Sequence, residues 1–599
     1  MGCGPSADAT QTKGTDKHRR NHRRSMAAHG DHRRRTRSDV RDATEEESRD
    51  MFEEYMNDDR SAEIIHKGVP FEAIIKRFRQ PPILNPMDAI KEENTIFTFK
   101  PLKYAPYKPD TEHDVESYND RWDKYHVRMP CSNDYISNDR KPIWPKICEH
   151  LSFLKAKCDS REVKFKHLKT VIEDCNERSF DLECLQRLID PIYSKNEYRN
   201  FMYVTLPKMC DLLLNIKSVC TQPLPLLRIN ENRSVSMQQQ QAAALLACAF
   251  FCLFPNRSGR TLRTEYEDYQ NPNFEALYQR GPPSKIEKLK CILHYFNRVT
   301  DHMPTGVITF QRVVLPKSEY PQWPELKTDL CDLHLTTGDK IEDIPSVLQV
   351  DFANKYIGGG VLGSGCVQEE IRFTICPEML VSLLICEVME CNECILLIGC
   401  ERYSSYKGYA HSFQFAGNYT DKAPRYCTLN PTNQLLADST SYLYQAILCF
   451  RDSWDRLWCH VVAMDAIYFQ NPSTQYHMKS IERELLKAYT SFRPLGHDAD
   501  SKFGIATGNW GCGAFNGDRQ LKAIIQLIAA SEARRPLVYA AFGDRKLVTS
   551  FSALYEHLKK ERATVSDLYY YLMGYCRDQP EQSLFDYILM PPASRFQKK

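Results

Sequence analysis

The sequence predicts an α/β fold, and three observations carry the prediction. After Pro304, short runs rich in β-branched and apolar residues recur. Between them lie stretches with apolar residues at three- and four-residue intervals, the helical spacing. Glycine-rich segments sit beside the strand-like runs, where α/β proteins place ligand loops. Strands alternating with helices give a sheet covered on both faces.

In chain order, residues 1–60 form a charged tail. It opens on MGCGPS, which fits an N-acylation pattern with Gly2 as acceptor, Ser6 in place and Cys3 available for a second acyl chain. KHRRNHRR (17–24) and HRRRTR (32–37) suit anionic lipid or nuclear import, and a bland solvated tail is the competing reading. Membrane contact through this tail and a location in nucleus and cytoplasm are both expectations; the import reading is preferred. From Asp39 the charge turns acidic in DVRDATEEESRDMFEEYMNDDR. So little apolar surface cannot offset the entropy of ordering, and disorder is expected.

Residues 61–305 read as a mostly helical accessory region. FMYVTLPKMCDLLLNIKSVC (201–220) and SMQQQQAAALLACAFFCLF (236–254) carry helical periodicity, joined through the Pro-punctuated TQPLPLL (221–227). The apolar run at 242–254 is shorter than the roughly 18 residues a membrane span needs and stops at Pro255.

Residues 306–599 read as the catalytic domain. GVITFQRVVL (306–315), SVLQVDFAN (346–354), ECILLIGC (393–400), HVVAMDAIYF (460–469) and PLVYAAFGD (536–544) are strand-like. PEMLVSLLICEVME and DRQLKAIIQLIAASEA are helical in pattern.

With 599 residues, 42% hydrophobic and 26% charged, the composition is globular, and a net charge of +2 argues against direct DNA binding. Twenty-three cysteines without a secretory leader suggest free thiols in a reducing compartment. Cys391 and Cys394 are a lone C-x-x-C without a partner pair, so no metal is expected.

The chemistry concentrates in IGGGVLGSGCVQEEIRF (357–373). Gly358, Gly360 and Gly363 spell G-x-G-x-x-G, but no acidic residue follows at the distance a dinucleotide fold needs. Ser364 after Gly363 rules out a P-loop lysine. A second glycine loop, TGNWGCGAFNGDRQLKAIIQL (507–527), runs into a helix with Asp518 as its expected N-cap. Loops of this kind expose peptide N–H groups, so the pair reads as a diphosphate site. Tyr406, Tyr409 and Phe542 stand at strand ends, where a base would stack. On a helix Glu369 and Glu370 diverge by roughly 100°, so one is expected to orient a sugar and the other to transfer a proton.

The GGGVLGSGCVQEE stretch resembles the signature of poly(ADP-ribose) glycohydrolases. The resemblance extends through VDFANKYIGGG, YSSYKGYAHSF, ATGNWGCGAFNGD and AAFGD, and back to MPTGVITF, CTQPLPLL and AFFCLFPN, covering roughly residues 96–590. It implies a macrodomain-like three-layer α/β/α core with a mixed sheet, and hydrolysis of ribose–ribose O-glycosidic bonds without metal or cofactor. Carried over, Glu370 is the general acid/base, Glu369 orients the ribose hydroxyls, and Asp351 and Asn354 support them. Gln368 joins the substrate contacts. Asn509, Trp510, Gly511, Cys512, Gly513 and Ala514 form the diphosphate loop, with Phe515 beside the distal ribose. Tyr409 and Phe542 hold the adenine end, which a segment containing Ile341 and Glu342 also contacts. The implied partner is poly(ADP-ribose), including polymer attached to proteins. A non-catalytic macrodomain reader of ADP-ribose is the alternative.

Overall fold

The computed structural model describes residues 63–75, 81, 84–99, 118–137, 139–257, 265–420, 451–495 and 503–590. The expectations for residues 1–60, including acylation at Gly2 and Cys3, lie outside the described residues.

Twelve strands are described: β1 His66–Gly68, β2 Thr95–Phe97, β3 Arg233–Gln238, β4 Val307–Val314, β5 Leu333–Thr336, β6 Leu348–Asp351, β7 Glu393–Ile398, β8 Ser404–Lys407, β9 Gln414–Asn418, β10 His460–Ala463, β11 Ile505–Gly508 and β12 Leu537–Ala540. β8 and β9 pair only with each other, and the other ten form one sheet in the order β1-β5-β12-β11-β6-β10-β7-β4-β3-β2. The run from β5 to β10 is parallel, whereas β10–β7, β7–β4, β4–β3 and β1–β5 are antiparallel, so the sheet is mixed as expected.

Alternation along the inner strands explains the layers. In β7, Ile395 and Leu397 enter one core while Cys394, Leu396 and Ile398 enter the other. A strand buried on both faces must be apolar at every position, which is why ECILLI reads as a continuous run. The first core is closed by helices α1 Trp144–Asp159, α2 Phe165–Asn176, α3 Leu206–Leu214, α4 Gln239–Phe250, α5 Pro283–Asp301 and α6 Gln368–Ile375. The second is closed by α7 Met478–Phe492, α8 Arg519–Glu532, α9 Arg545–Lys560 and α10 Val565–Asp578. The result is a three-layer α/β/α arrangement.

Some elements differ from the sequence reading. β1, β2 and β3 come from before residue 306, so both sides of that position contribute to the one sheet. Ser236 and Met237 pair with β4 instead of starting the helix, which begins at Gln239. PEMLVSLLICEVME is a 3-10 turn, Pro377–Val381, and a short helix, Ser382–Ile385, because Cys386 leaves to bridge Leu227. Among the described residues, no helix is long and apolar enough to cross a membrane.

Candidate active site

The central parallel strands end together, and their C-terminal loops enclose a cavity of about 650 Å³. Phe352 and Ala353 after β6, Asn509 to Gly511 and Gly513 to Phe515 after β11, and Phe542 to Lys546 after β12 line it. That is where an open parallel sheet leaves room for a ligand.

The signature glutamates open α6, where Gln368, Glu369 and Glu370 are its first three residues. Glu369 lines the cavity, and its carboxylate accepts the backbone N–H of Asn354 at 2.9 Å and of Gly358 at 2.6 Å. Glu370 lies behind it, accepting the N–H of Gly360 and, reaching back along the helix cap, of Val367, both at 2.9 Å. The glycines make this possible. Gly359 has φ +49°, and a Cβ there would stand 2.5 Å from a Glu369 oxygen and 2.6 Å from a Glu370 oxygen. The first glycine loop thus gives the amides of Gly358 and Gly360 to the protein's own carboxylates.

Asp351, at the end of β6, is fully buried beneath this pair, and neither carboxyl oxygen has a hydrogen-bond partner among the described residues. Burial, then the neighbouring Glu370, pushes its pKa well above the usual carboxylate range, with Arg372 offsetting part of the rise. Burial, then Asp351 and Glu370, pushes Glu369 up likewise, against the lowering by its two amide donors. Asp351 and Glu369 therefore release their protons less readily than isolated carboxyls do. Asn354 caps its own turn through Oδ1 and Tyr356 N–H at 3.0 Å, outside the cavity wall. Gln368 is strapped to the end of β6, accepting from Phe352 N–H at 2.8 Å and donating to Val350 C=O at 3.1 Å.

The second loop differs. Asp518 caps α8 as expected, accepting the Leu521 N–H at 2.8 Å. Trp510 is fully buried, donating from Nε1 to Met464 C=O at 3.0 Å under the Lys522 ammonium, 3.9 Å from the ring. Asn509 donates to Ala541 C=O at 3.1 Å and accepts from the Tyr539 hydroxyl at 3.0 Å. Gly511 (φ +72°) turns against Ala466, whose Cβ would lie 2.6 Å from an added Cβ. The backbone amides of Gly511, Gly513, Ala514 and Phe515 donate to no described residue, and all four residues face the cavity. Cys512 does not line it; burial pushes that thiol up to about 12, so it is inert.

Tyr409 and Phe542 close one end with ring centroids 4.9 Å apart. Phe542 has φ +52°, a conformation that phenylalanine adopts only under constraint. The Tyr409 hydroxyl accepts the Gln368 N–H at 3.1 Å, tying the aromatic wall to the glutamate helix. Ile341 and Glu342 also line the cavity, and Glu342 accepts from the Tyr406 hydroxyl.

Sequence reasoning missed the cations. Arg519, Arg545 and Lys546 line the cavity at the starts of α8 and α9, and the signal was legible in GDR and GDRK after the two strand ends. It also missed Lys288 on α5, fully buried, whose ammonium donates to the carbonyls of Val361 (2.8 Å), Gly363 (2.9 Å) and Gly365 (2.5 Å). No local pattern marks that lysine, because its partners are 73 to 77 residues away.

The comparisons agree with this architecture. Residues 320–549 match the family described as poly(ADP-ribose) glycohydrolase, macro domain fold, and residues 193–312 match its helical domain. The chain is 33% identical over 446 residues to poly(ADP-ribose) glycohydrolase 1 of Arabidopsis thaliana, covering 65% of this chain and 80% of that one. It is 37% identical over 348 residues to poly(ADP-ribose) glycohydrolase 1 of Caenorhabditis elegans, covering 57% and 40%. With the helical and macro-domain segments matched in order and the relative covered over 80% of its length, the chain belongs to the poly(ADP-ribose) glycohydrolase family.

Proposed function

We propose that this protein is a glycosidase that hydrolyses ribose–ribose O-glycosidic bonds of poly(ADP-ribose) and releases ADP-ribose. The observation that carries the reading is the buried Glu369–Glu370 pair, fixed by glycine-loop amides with Glu369 at the wall of a cavity whose opposite loop has four amides without an acceptor among the described residues. N–H groups without a described acceptor beside Arg519 suit a diphosphate, and a pair of adjacent buried carboxyls suits glycosidic cleavage. Glu370 protonates the leaving ribose oxygen as the C1–O bond breaks, and the oxocarbenium-like state is then attacked by water. The same carboxylate takes the water's proton, restoring the acid. Glu369, which faces the cavity, holds the ribose hydroxyls. A reader that only binds ADP-ribose has no use for this acid, and nothing observed favours one.

Digestion of polymer by the purified protein tests the reading. Glu370→Gln should lower turnover by roughly 10²–10⁴-fold while polymer binding survives, since the amide keeps the shape and loses the transferable proton. Near wild-type release would remove Glu370 from the acid's role. A loss confined to Glu369→Gln would assign the role to its neighbour.

Tyr409→Ala should weaken ADP-ribose binding by roughly 1–3 kcal/mol, the scale of base–aromatic stacking. Unchanged affinity by calorimetry would return Tyr409 and Phe542 to wall packing.

The reading extends to protein-attached polymer and to action in nucleus and cytoplasm, reversing polymer signalling in the DNA damage response. What supports this is the substrate class alone. Tagged wild type held at membranes and freed by Gly2→Ala would instead favour the acylated tail.

A further inference from the structure

At the sheet edge next to β5, three side chains converge outside the catalytic cluster. The Nδ1 or Nε2 atoms of His66 and His334 and a carboxylate oxygen of Asp339 all lie within 4.8 Å of one another. His66 Nδ1 is 3.2 Å from His334 Nε2 and 3.8 Å from Asp339 Oδ2. Donors bound to one tetrahedral ion at about 2.0–2.2 Å stand roughly 3.2–3.6 Å apart, so the two imidazoles are already spaced for it and the Asp339 carboxylate has to close in.

His334 is buried, and its other ring nitrogen, Nδ1, lies 2.8 Å from the Val69 carbonyl. A carbonyl can only accept, so Nδ1 carries the proton and the Nε2 lone pair is turned toward His66 and Asp339. Fixing a ligand's tautomer through a backbone carbonyl is the usual second support of a metal-bound imidazole. The Phe71 ring packs 5.5 Å from His334, centroid to centroid, and restrains it further. His66 and Asp339 are open to water, with side chains 49% and 42% exposed, so an ion has access.

We propose that His66, His334 and Asp339 form a binding site for a divalent transition cation of the Zn²⁺ type, with water completing the coordination. Two imidazoles and one carboxylate match that preference over the oxygen-only sets of Mg²⁺ or Ca²⁺. An ion here would clip β1 to β5 across 268 residues of sequence. Asp339 belongs to the cavity wall beside Ile341 and Glu342, so the clip would also fix that wall.

The competing arrangement is an ion-free hydrogen bond from His66 Nδ1 to His334 Nε2. Metal-stripped full-length protein, titrated with Zn²⁺, separates the two. Wild type should bind one more equivalent than His66→Ala or Asp339→Asn, and only wild type should gain thermal stability from it. Each exposed-residue variant should bind that equivalent at least about tenfold more weakly. Co²⁺ at the site should give visible bands without an intense thiolate band, because no cysteine takes part. Cysteines and tail histidines also take up Zn²⁺, so equal uptake and equal thermal shifts in all three proteins would overturn the proposal. A thermal shift absent from wild type would do the same.

Discussion

The two glycine loops look alike in sequence and behave differently in the fold. In the first, residues 357–366, the amides of Gly358 and Gly360 are taken by Glu369 and Glu370. Its carbonyls are taken from outside: Lys288 holds those of Val361, Gly363 and Gly365, and Gln270 holds Gly359 at 3.0 Å. In the second, residues 509–517, the carbonyl of Gly511 is satisfied within the loop by Gly517, 2.9 Å away, and several amides stay free. Its support is the helix it feeds, through Trp510, Lys522 and the buried Glu484 that pairs with Lys522. A loop that gives two of its amides to Glu369 and Glu370 and three of its carbonyls to Lys288 positions the protein's own acids. A loop with surplus donors is built for something that arrives. The difference also assigns responsibility, since helix α5 on the first face holds the acids while α7 and α8 on the second hold the binding loop.

Removing the outside clamp should give the largest effect. Lys288→Met leaves three carbonyls without their donor, costing about 3 kcal/mol at roughly 1 kcal/mol each. The loop that seats Glu370 then loosens, so turnover should collapse while ADP-ribose affinity changes little. Burial pushes the Lys288 ammonium down to about 8, opposed by Cys366 and Glu370. Being a base with a lowered folded pKa, it is fully charged below about 8 and loses its third donor above that. Linkage alone does not make the fold less stable there, because the unfolded chain holds the proton longer. Wild-type activity should therefore fall as pH rises through about 8 while the melting temperature does not. An alkaline limb that persists unchanged in Lys288→Met would break the comparison.

Two matched alanine substitutions sharpen it. Gly359→Ala forces a Cβ onto both glutamates at φ +49°, and Gly511→Ala forces one onto Ala466 at φ +72°. Each strains the backbone by roughly 1–3 kcal/mol, so stability should drop similarly in both. The kinetics should separate: Gly359→Ala lowers kcat, whereas Gly511→Ala raises KM through misplaced free amides. The same kcat–KM pattern in both variants would mean the loops share one task.

What was legible in the sequence follows from how local each signal is. The inner strands β4, β6, β7, β10 and β12 could be read because burial on both faces leaves an apolar run. β5 and β11, four residues each as LHLT and IATG, carry too little pattern to stand out. The helix cap at Asp518 was readable because its partner is three residues away. The glutamates were readable as a motif, but the direction of the first loop's amides was not, because it depends on φ values that glycine leaves open. Lys288 was invisible for the opposite reason, as its contacts are entirely tertiary.

The smallest effect has the opposite sign and tests the acid side of the comparison. Asp351 is the one member of the carboxyl cluster whose oxygens receive no hydrogen bond, whereas Glu369 and Glu370 each receive two. Its folded pKa is raised, so near pH 3 it is protonated in both states and contributes nothing to pH dependence. As pH rises above about 4, the unfolded chain releases this proton and the folded chain keeps it. Stability then falls with pH until the folded value is reached. Asp351→Asn removes that slope and should stabilise the protein at pH 7 by on the order of 1 kcal/mol, net of an amide left without a partner. Glu369→Gln removes a slope of the same sign, since that carboxyl is raised too, but should lower stability overall, because its amide cannot accept from both Asn354 and Gly358 without turning an N–H toward one of them. Activity should fall in both, since both carboxyls act electrostatically on one another beside Glu370. Chemical denaturation of the two variants between pH 4 and 8 measures this directly. An Asp351→Asn protein that is less stable than wild type throughout, with an unchanged slope, would show that this carboxyl is structural and carries no protonic strain.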